Sequence, residues 1–426
     1  MATPPRGADG HGRGSSIGGA TGRGPAGAGR PLQLVKLNMA ERRVELDEGV
    51  LEEMTRRLAE FSGARVAVIS VIGAFRTGKS FLLDLFLRYL RHDDVDLGGA
   101  EHWPPRGQGA TCRPPRWLTA WGDAIRNEEG FKFAGGMDVC TEGIWVWSEP
   151  FLRRVEGRDV VLLLLDTQGA WDPIMTEEQS ATIFGLTSLL SSKQIYNINM
   201  QIQRDRVENL AYFMRFAQAA LRASDAAGVQ TGDLDRPFQS LDFLVRDWAN
   251  FEDEWSVEQC RAQMREHLDR HLNPNRVTEG TTAEALYSMF GQINCFCLPH
   301  PGTKIQKSAW TGQISDIDVD FLRFVDIYIR ETFSQGLQPK TVLGAELTTN
   351  TFPHVLRHFV VAFHNAAPSA VPFCQAMTNF MVLAAKNSAM TTYSDRMDVA
   401  FGAAPEGLEL DAFRTLHETT LGEVER

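Results

Sequence analysis

The chain has 426 residues, a length that suggests two to three domains, and its 43% hydrophobic and 23% charged content is that of an ordinary globular protein. A formal net charge of −11 excludes general affinity for nucleic acid, so no nucleic-acid partner is expected and any basic function must be local. The six cysteines are scattered, at Cys112, Cys140, Cys260, Cys295, Cys297 and Cys374, which excludes a zinc framework or a disulfide scaffold and fits a reducing, cytosol-facing environment.

Residues 1–31 read as a disordered Gly/Arg-rich tail, because the first 30 hold ten glycines and four arginines and almost nothing to bury. The tail has no apolar segment of the signal-peptide kind, and no run in the chain reaches the ~20 apolar residues of a membrane span. From Leu32 the pattern becomes globular, and residues 32–335 are expected to form one α/β domain. Near its start Glu52, Glu53, Arg56 and Arg57 read as a charged helix face with i, i+4 pairs. Val66–Ile72 then reads as a buried strand, followed by Gly73-Ala74-Phe75-Arg76-Thr77-Gly78-Lys79-Ser80 and an amphipathic helix from Phe81 to Leu90. Strand, G-x-x-x-x-G-K-S loop and helix in that order make a phosphate-binding P-loop. Its glycines let backbone N–H groups face phosphate oxygens, and the helix N-terminus adds its positive dipole end. Lys79 supplies a charge for the β- and γ-phosphates, and Ser80 offers a hydroxyl to Mg²⁺.

The aliphatic run Val160–Leu165 leads into Asp166-Thr167-Gln168-Gly169, a D-x-x-G. By itself this is either a turn after a strand or the place where an acidic residue holds Mg²⁺ and a glycine N–H senses the γ-phosphate. Helices are expected over Glu178–Leu190 and Arg206–Ala223, and a third strand over Leu241–Val245 that ends in Arg246-Asp247. That dipeptide is either a surface ion pair or, at a strand end, a carboxylate that accepts from the N1–H and 2-amino group of guanine. Adenine has no such donor pair. His267 and His271, four apart on an expected helix, have the spacing of metal ligands, but a solvated helix face is preferred because no third ligand is suggested. Ile293–Leu298 reads as a fourth buried strand that carries Cys295 and Cys297. Strands alternating with helices give an α/β fold with a mainly parallel, doubly wound sheet. Such a sheet binds ligands beyond its strand ends, which here lead to Gly73, Asp166, Arg246 and His300. Residues 336–348 are expected to be a linker with no strand beyond Gln335. Residues 349–426 are expected to form a C-terminal helical bundle with helices over Thr349–Ala366, Val371–Met397 and Leu408–Val424.

The P-loop, Leu165-Asp166-Thr167-Gln168-Gly169, Phe243-Leu244-Val245-Arg246-Asp247-Trp248 and Cys297-Leu298-Pro299-His300-Pro301-Gly302 together resemble the atlastin and guanylate-binding-protein branch of the dynamin-like GTPases. The stretch from Ser180 to Asn197 resembles the atlastin pattern as well. The likeness covers about residues 32–426, strongly in the GTPase part and in outline in the helical part. It implies a P-loop GTPase domain and GTP as substrate with Mg²⁺ held by Ser80, Thr141 and Asp166. Arg76 would be an internal arginine finger, placed on the phosphates when two GTPase domains meet face to face. Without the resemblance Arg76 reads as a surface residue of the loop. The other expected catalytic residues are Lys79, Thr141, Asp166 and Gly169. Nucleotide contacts are expected from Gly73, Ala74, Phe75, Arg76, Thr77, Gly78, Lys79, Ser80, Phe81, Gln168, Arg246, Asp247, Pro299 and His300.

The resemblance further implies a homodimer through the GTPase domains. It points to the cytosolic face of the endoplasmic reticulum, where membranes are tethered and fused, with anchored relatives as further partners. Glu142 departs from the atlastin pattern, since Cys140-Thr141-Glu142-Gly143-Ile144-Trp145 is closer to the guanylate-binding proteins. Atlastins continue into two membrane spans and an amphipathic tail, for which these 426 residues hold no matching stretch. The expectation is therefore either a truncated form or a chain without its own anchor, cytosolic in the second case. A soluble guanylate-binding-protein-like GTPase and a catalytically weak, nucleotide-gated scaffold are the alternatives.

Overall fold

The computed structural model describes residues 29–38, 43–74, 77–92, 114–120, 122–125, 130–131, 143–169, 177–208, 210, 236–252, 254–273, 281–307, 309–333, 336–342 and 344–362, and then 382, 385–386, 389–390, 392–402, 404 and 407–424. Among these, nine strands make one sheet: β1 (Pro31–Asn38), β2 (Arg43–Leu46), β3 (Arg65–Gly73), β4 (Ile144–Trp147), β5 (Phe151–Val155), β6 (Arg158–Thr167), β7 (Lys193–Asn199), β8 (Phe238–Arg246) and β9 (Phe290–Cys297). Their order is β2-β1-β4-β6-β3-β7-β8-β9, with β5 beside β6. The neighbours β6, β3, β7, β8 and β9 run parallel, whereas β1, β2, β4 and β5 pair antiparallel. The four expected strands, β3, β6, β8 and β9, are all parallel, and the sequences of β3 and β6 show why. Val66 to Ile72 and Val160 to Leu165 are buried throughout, as strands covered on both faces must be.

The chain passes from β3 to β6 on one side and to β7 on the other. The carboxyl end of β3 is therefore a topological switch point, the place where such sheets bind ligands. Among the described residues the main helices are α1 (Glu48–Leu58), α2 (Lys79–Leu90), α3 (Glu177–Leu190), α4 (Val257–His271), α5 (Thr282–Met289), α6 (Val319–Phe333), α7 (Phe352–Ala362) and α8 (Leu410–Val424). The Asp47 side chain caps α1 by accepting from Val50 N–H, and Arg57 pairs with Glu53 on its outer face as the spacing predicts. Residues 204–208 and 210 are helical where a helix was expected from Arg206, and the rest of that helix lies outside the described residues.

The stretch expected to be a linker is instead built into the base of the sheet. The β7 ladder begins only opposite Ile69, so the first residues of β3 have an open flank on that side. Residues 340–342 and 344–349 fill it: Lys340 N–H donates to Val66 O, Val66 N–H to Leu347 O and Thr349 N–H to Ala64 O. A two-residue hairpin, β10 (Thr341–Val342) with β11 (Ala345–Glu346), closes this patch and corrects the expectation of no strand beyond Gln335. Lys340 is fully buried there and donates its Nζ to Ser191 O; burial pulls its pKa down to about 7.

The first C-terminal helix also belongs to this core, because Phe352, Val355, Leu356, Phe359 and Val360 of α7 join its apolar cluster. The helix over 392–402 instead meets α8. Phe401 lies against Phe413 and Tyr393 Oη is 2.7 Å from His417 Nδ1, so the two run antiparallel.

Candidate functional site

β3 delivers the P-loop. Its last residue, Gly73, lies so close to β7 that an added Cβ would sit 2.2 Å from Asn197 O, which demands glycine. Thr77 Oγ1 and Lys79 Nζ both donate to Ala74 O, at 2.9 and 3.1 Å, so the two sides of the loop close on one carbonyl. Gly78, at φ +78°, turns the chain into α2, and Lys79 is its first residue. Asn197 Nδ2 donates to Thr77 O at 2.8 Å and ties the loop to the end of β7. Asn197 Oδ1 is buried and has no hydrogen-bond partner. Phe75 and Arg76 lie outside the described residues. The Phe81 ring packs on Trp310 and Phe321, which leaves its backbone at the helix N-terminus as the part that can meet a ligand.

β6 delivers the second motif. Asp166 is 1% exposed, and its Oδ2 accepts a 2.6 Å hydrogen bond from Ser80 Oγ, so the two motifs touch at the first turn of α2. Asp166 Oδ1 accepts from Thr167 N–H, and Thr167 Oγ1 donates back to Val71 O on β3. A serine hydroxyl beside a carboxylate is the donor set of a hard divalent cation such as Mg²⁺. Gln168 does not point outward but clasps the start of β4. Its Oε1 accepts from Gly143 N–H and its N–H donates to Gly143 O, at 2.9 and 2.7 Å. Gly169 is buried next to it. Thr141 and Glu142, just before this clasp, lie outside the described residues.

β8 and β9 deliver the third part. Asp247 sits at φ +58° and Met200, at the end of β7, at φ +64°, both left-handed and uncommon for such residues. They are locked together, because Met200 N–H donates to Arg246 O, Trp248 N–H to Leu298 O and Leu298 N–H to Val245 O. Arg246 Nη1 holds Asp247 Oδ2 at 2.5 Å, so the ion pair exists. It is more than a surface pair, because Asp247 Oδ1 and Arg246 Nε are buried with no hydrogen-bond partner. A buried carboxylate oxygen left unpaired is costly unless a ligand fills it, and the paired donors of guanine fit that need. Pro299 is buried beside it. His300 organises its own loop, since its Nδ1 accepts from Gly302 N–H at 2.9 Å and its Nε2 meets the Gln306 amide at 2.9 Å.

The expectation of a solvated face at His267 and His271 is corrected for His267. It is buried with its ring against Trp248, its Nε2 accepts from Ile202 N–H, and burial pulls its pKa down to about 4. It braces Trp248, the residue after Asp247. Among the described residues no cluster of three His, Cys, Asp or Glu side chains has the arrangement of a metal site. Cys295 and Cys297 are free thiols on β9, which is a strand as expected but not a buried one: β9 is the edge of the sheet, so Asn294 is exposed and Ile293 and Cys295 are half-buried, and burial is complete only from Phe296.

Exchanging Asp247 for Asn would turn one acceptor oxygen into a donor that clashes with the guanine N1–H or amino group. Competition between GTP and ATP for the Asp247→Asn chain should show a loss of about 10-fold or more in preference for GTP. Unchanged selectivity would remove the guanine assignment.

Comparison with known proteins adds relatives. The chain is 30% identical over 389 residues to Atlastin-2 of Homo sapiens, covering 89% of this chain and 61% of that one. It is 30% identical over 379 residues to Atlastin-1 of Rattus norvegicus, covering 88% and 62%, and over 398 residues to Atlastin-3 of Homo sapiens, covering 91% and 67%. The chain thus spans roughly three-fifths to two-thirds of the length of these relatives. Among the described residues no helix is long and apolar enough to cross a membrane. The family model of the guanylate-binding protein N-terminal domain matches residues 41–341. That match runs from the edge strand β2 to the patch at the base of β3 and takes in every motif at the sheet edge, so the chain belongs to the guanylate-binding protein N-terminal domain family, in the branch it shares with the atlastins.

Proposed function

We propose that the chain hydrolyses GTP to GDP and phosphate with Mg²⁺, and that hydrolysis is coupled to homodimerisation through the GTPase domains. The observation that carries this reading is the 2.6 Å contact between Ser80 Oγ and Asp166, which joins the P-loop to the D-x-x-G at the switch point. Lys79 and the first N–H groups of α2 bind the phosphates, and Asp247 orients the base with its unpaired oxygen. Gly73 lets the loop lie close enough to β7 to be held by Asn197. Ser80 and Asp166 are the described residues that would hold Mg²⁺, with Thr141 as the third expected ligand. When bound, the ion would neutralise charge on the transferred phosphoryl group. Arg76, inside the loop, is proposed to add a positive charge there when two domains face each other.

In the cell we place this activity at the cytosolic face of the endoplasmic reticulum, tethering and fusing membranes. Similarity to atlastins over 88–91% of this chain supports that placement. A swing of the C-terminal helices driven by hydrolysis is part of this proposal and would involve those beyond α7, because 336–342, 344–348 and α7 are packed into the GTPase unit.

The test is GTP turnover per molecule across a range of protein concentrations with Mg²⁺ present. Specific activity is expected to rise with concentration, and Arg76→Ala is expected to flatten the rise and to lower the plateau by about 100-fold or more. No turnover by the unsubstituted chain would overturn the hydrolase reading, and turnover that is flat while the chain stays monomeric would overturn the dimer.

A further inference from the structure

Asp84 is a buried carboxylate that the motifs above leave without a role. It lies one turn after Ser80 on the inner side of α2 and is 3% exposed. Its Oδ1 accepts a 2.7 Å hydrogen bond from the backbone N–H of Phe131, 47 residues away, and its Oδ2 is buried without a partner. Gly130 comes so close that an added Cβ would lie 2.0 Å from Oδ1. The next turn repeats the arrangement, since Arg88 Nη1 donates to Leu118 O and Nη2 to Ala124 O, at 3.1 and 2.6 Å. Arg91 lies over the Trp147 ring, which packs against Phe131. One face of the P-loop helix therefore holds the backbone that leads up to residue 131 by polar contacts.

Phe131 is one flank of the stretch 132–142, which contains Thr141; Gly143 is the other. The first flank is fixed to the helix that carries Ser80, and the second is clasped by Gln168, two residues past Asp166. Both flanks are thus registered against the two residues that would hold Mg²⁺. We propose that Asp84 is a positioning residue for hydrolysis, fixing the Phe131 amide so that the chain carrying Thr141 departs from a set point relative to Ser80. This rests on the GTPase reading above. Burial pushes the Asp84 carboxyl well above the usual carboxylate range.

The test separates turnover from binding. In the Asp84→Ala chain, kcat at saturating GTP is expected to fall about 10- to 100-fold, because a displacement of ~1 Å in a reacting group costs that much. GDP affinity, read by titration of a fluorescent GDP analogue, should stay within about 3-fold, because the phosphate and base contacts are intact. Asp84→Asn keeps the acceptor at Oδ1 and should recover most of kcat. Gly130→Ala attacks the same contact from the loop side and should reproduce the loss. In Asp84→Ala/Gly130→Ala the smaller side chain leaves room for the new methyl, so the double change should cost no more than either single one.

Equal kcat in Asp84→Ala and the unsubstituted chain overturns the assignment. So does a parallel loss of kcat and GDP affinity, or a Gly130→Ala effect that adds fully to that of Asp84→Ala. Absence of turnover in the unsubstituted chain removes the GTPase reading and this assignment together, so the two failures are distinguishable.

Discussion

Replacing Lys79 by alanine is expected to weaken GTP binding by about 100-fold or more, as measured by titration with a fluorescent GTP analogue. Lys79 is 7% exposed at the first position of α2, and its Nζ donates to Ala74 O within the loop. A carbonyl is a weak partner for an ammonium group compared with a phosphate that carries full charge. When a nucleotide enters, the same Nζ can exchange one for the other with a small rotation of the side chain. Hydrogen bonds between charged groups each contribute roughly 1.5–3 kcal/mol, and the attraction to a polyphosphate adds to this in a site that excludes water. The fold should be little affected, because Ala74 O keeps the Thr77 hydroxyl as a donor when Lys79 is removed and no buried charge is introduced. A melting temperature close to that of the unsubstituted chain, together with the lost affinity, would separate a binding defect from misfolding. GTP affinity within about 3-fold of the original would overturn the phosphate role.

The second large effect is on stability and lies away from the nucleotide. Lys193, at the start of β7, donates its Nζ to Asp242 Oδ2 at 2.9 Å, and both residues are buried. Asp242 also accepts from Tyr328 Oη at 3.2 Å, from Asn294 Nδ2 at 2.9 Å and from Ser240 Oγ at 3.5 Å, so one carboxylate takes donors from four side chains. Asp242→Ala would take this acceptor from the buried Lys193 ammonium and Tyr328 hydroxyl, whereas the Asn294 amide is exposed and can turn to water. Breaking a buried pair from one side costs about 3–5 kcal/mol. For a cooperative unit of this size that corresponds to a fall of about 5 °C in melting temperature. Removing both charges, as in Lys193→Met/Asp242→Leu, should recover much of the loss, because no charge then remains buried alone. Thermal unfolding followed by circular dichroism checks both. A shift below about 1 °C in Asp242→Ala would mean that the ion pair contributes nothing net.

The parallel strands and the motifs at their ends were legible because each leaves a local signal. Val66 to Ile72 and Val160 to Leu165 are aliphatic runs of strand length, and the loop after the first has a fixed glycine spacing. β7 was not read as a strand although it is almost wholly buried. Its sequence, Lys193-Gln194-Ile195-Tyr196-Asn197, carries polar groups whose partners come from elsewhere: Asp242 for Lys193, Ser188 for Gln194, Thr77 for Asn197. β5, Phe151-Leu152-Arg153-Arg154-Val155, escaped for the opposite reason, since only its first residue is fully buried, Arg154 faces solvent, and Arg153 turns the other way to donate its Nη2 to Leu90 O at the end of α2.

The antiparallel edge shows the same limit. β5 and β6 are joined by Glu156 and Gly157, both at positive φ, and a Glu-Gly pair is a weaker hairpin signal than Asn-Gly or Asp-Gly. At the site, Lys79, Ser80 and Asp166 could be named from sequence. The clasp of Gln168 on Gly143 could not, because it joins two segments 25 residues apart with no shared motif. The same is true of His267, whose spacing suggested a helix face and whose burial is decided by Trp248 and Ile202.

The patch of residues 340–349 on β3 sets how the chain can be divided. A fragment ending at Gln335 would leave Val66 without partners for both its N–H and its C=O, and Ala64 without one for its C=O. These groups sit on, or one residue before, the strand that ends in Gly73, seven residues beyond Val66 and ~23 Å along a β-strand. Proteolysis or genetic dissection at the compositional boundary would thus expose the sticky flank of the strand that ends in the P-loop, inviting pairing with other chains. The smallest piece expected to survive as an independent unit extends through α7, and a protease probing the native protein should spare 336–348.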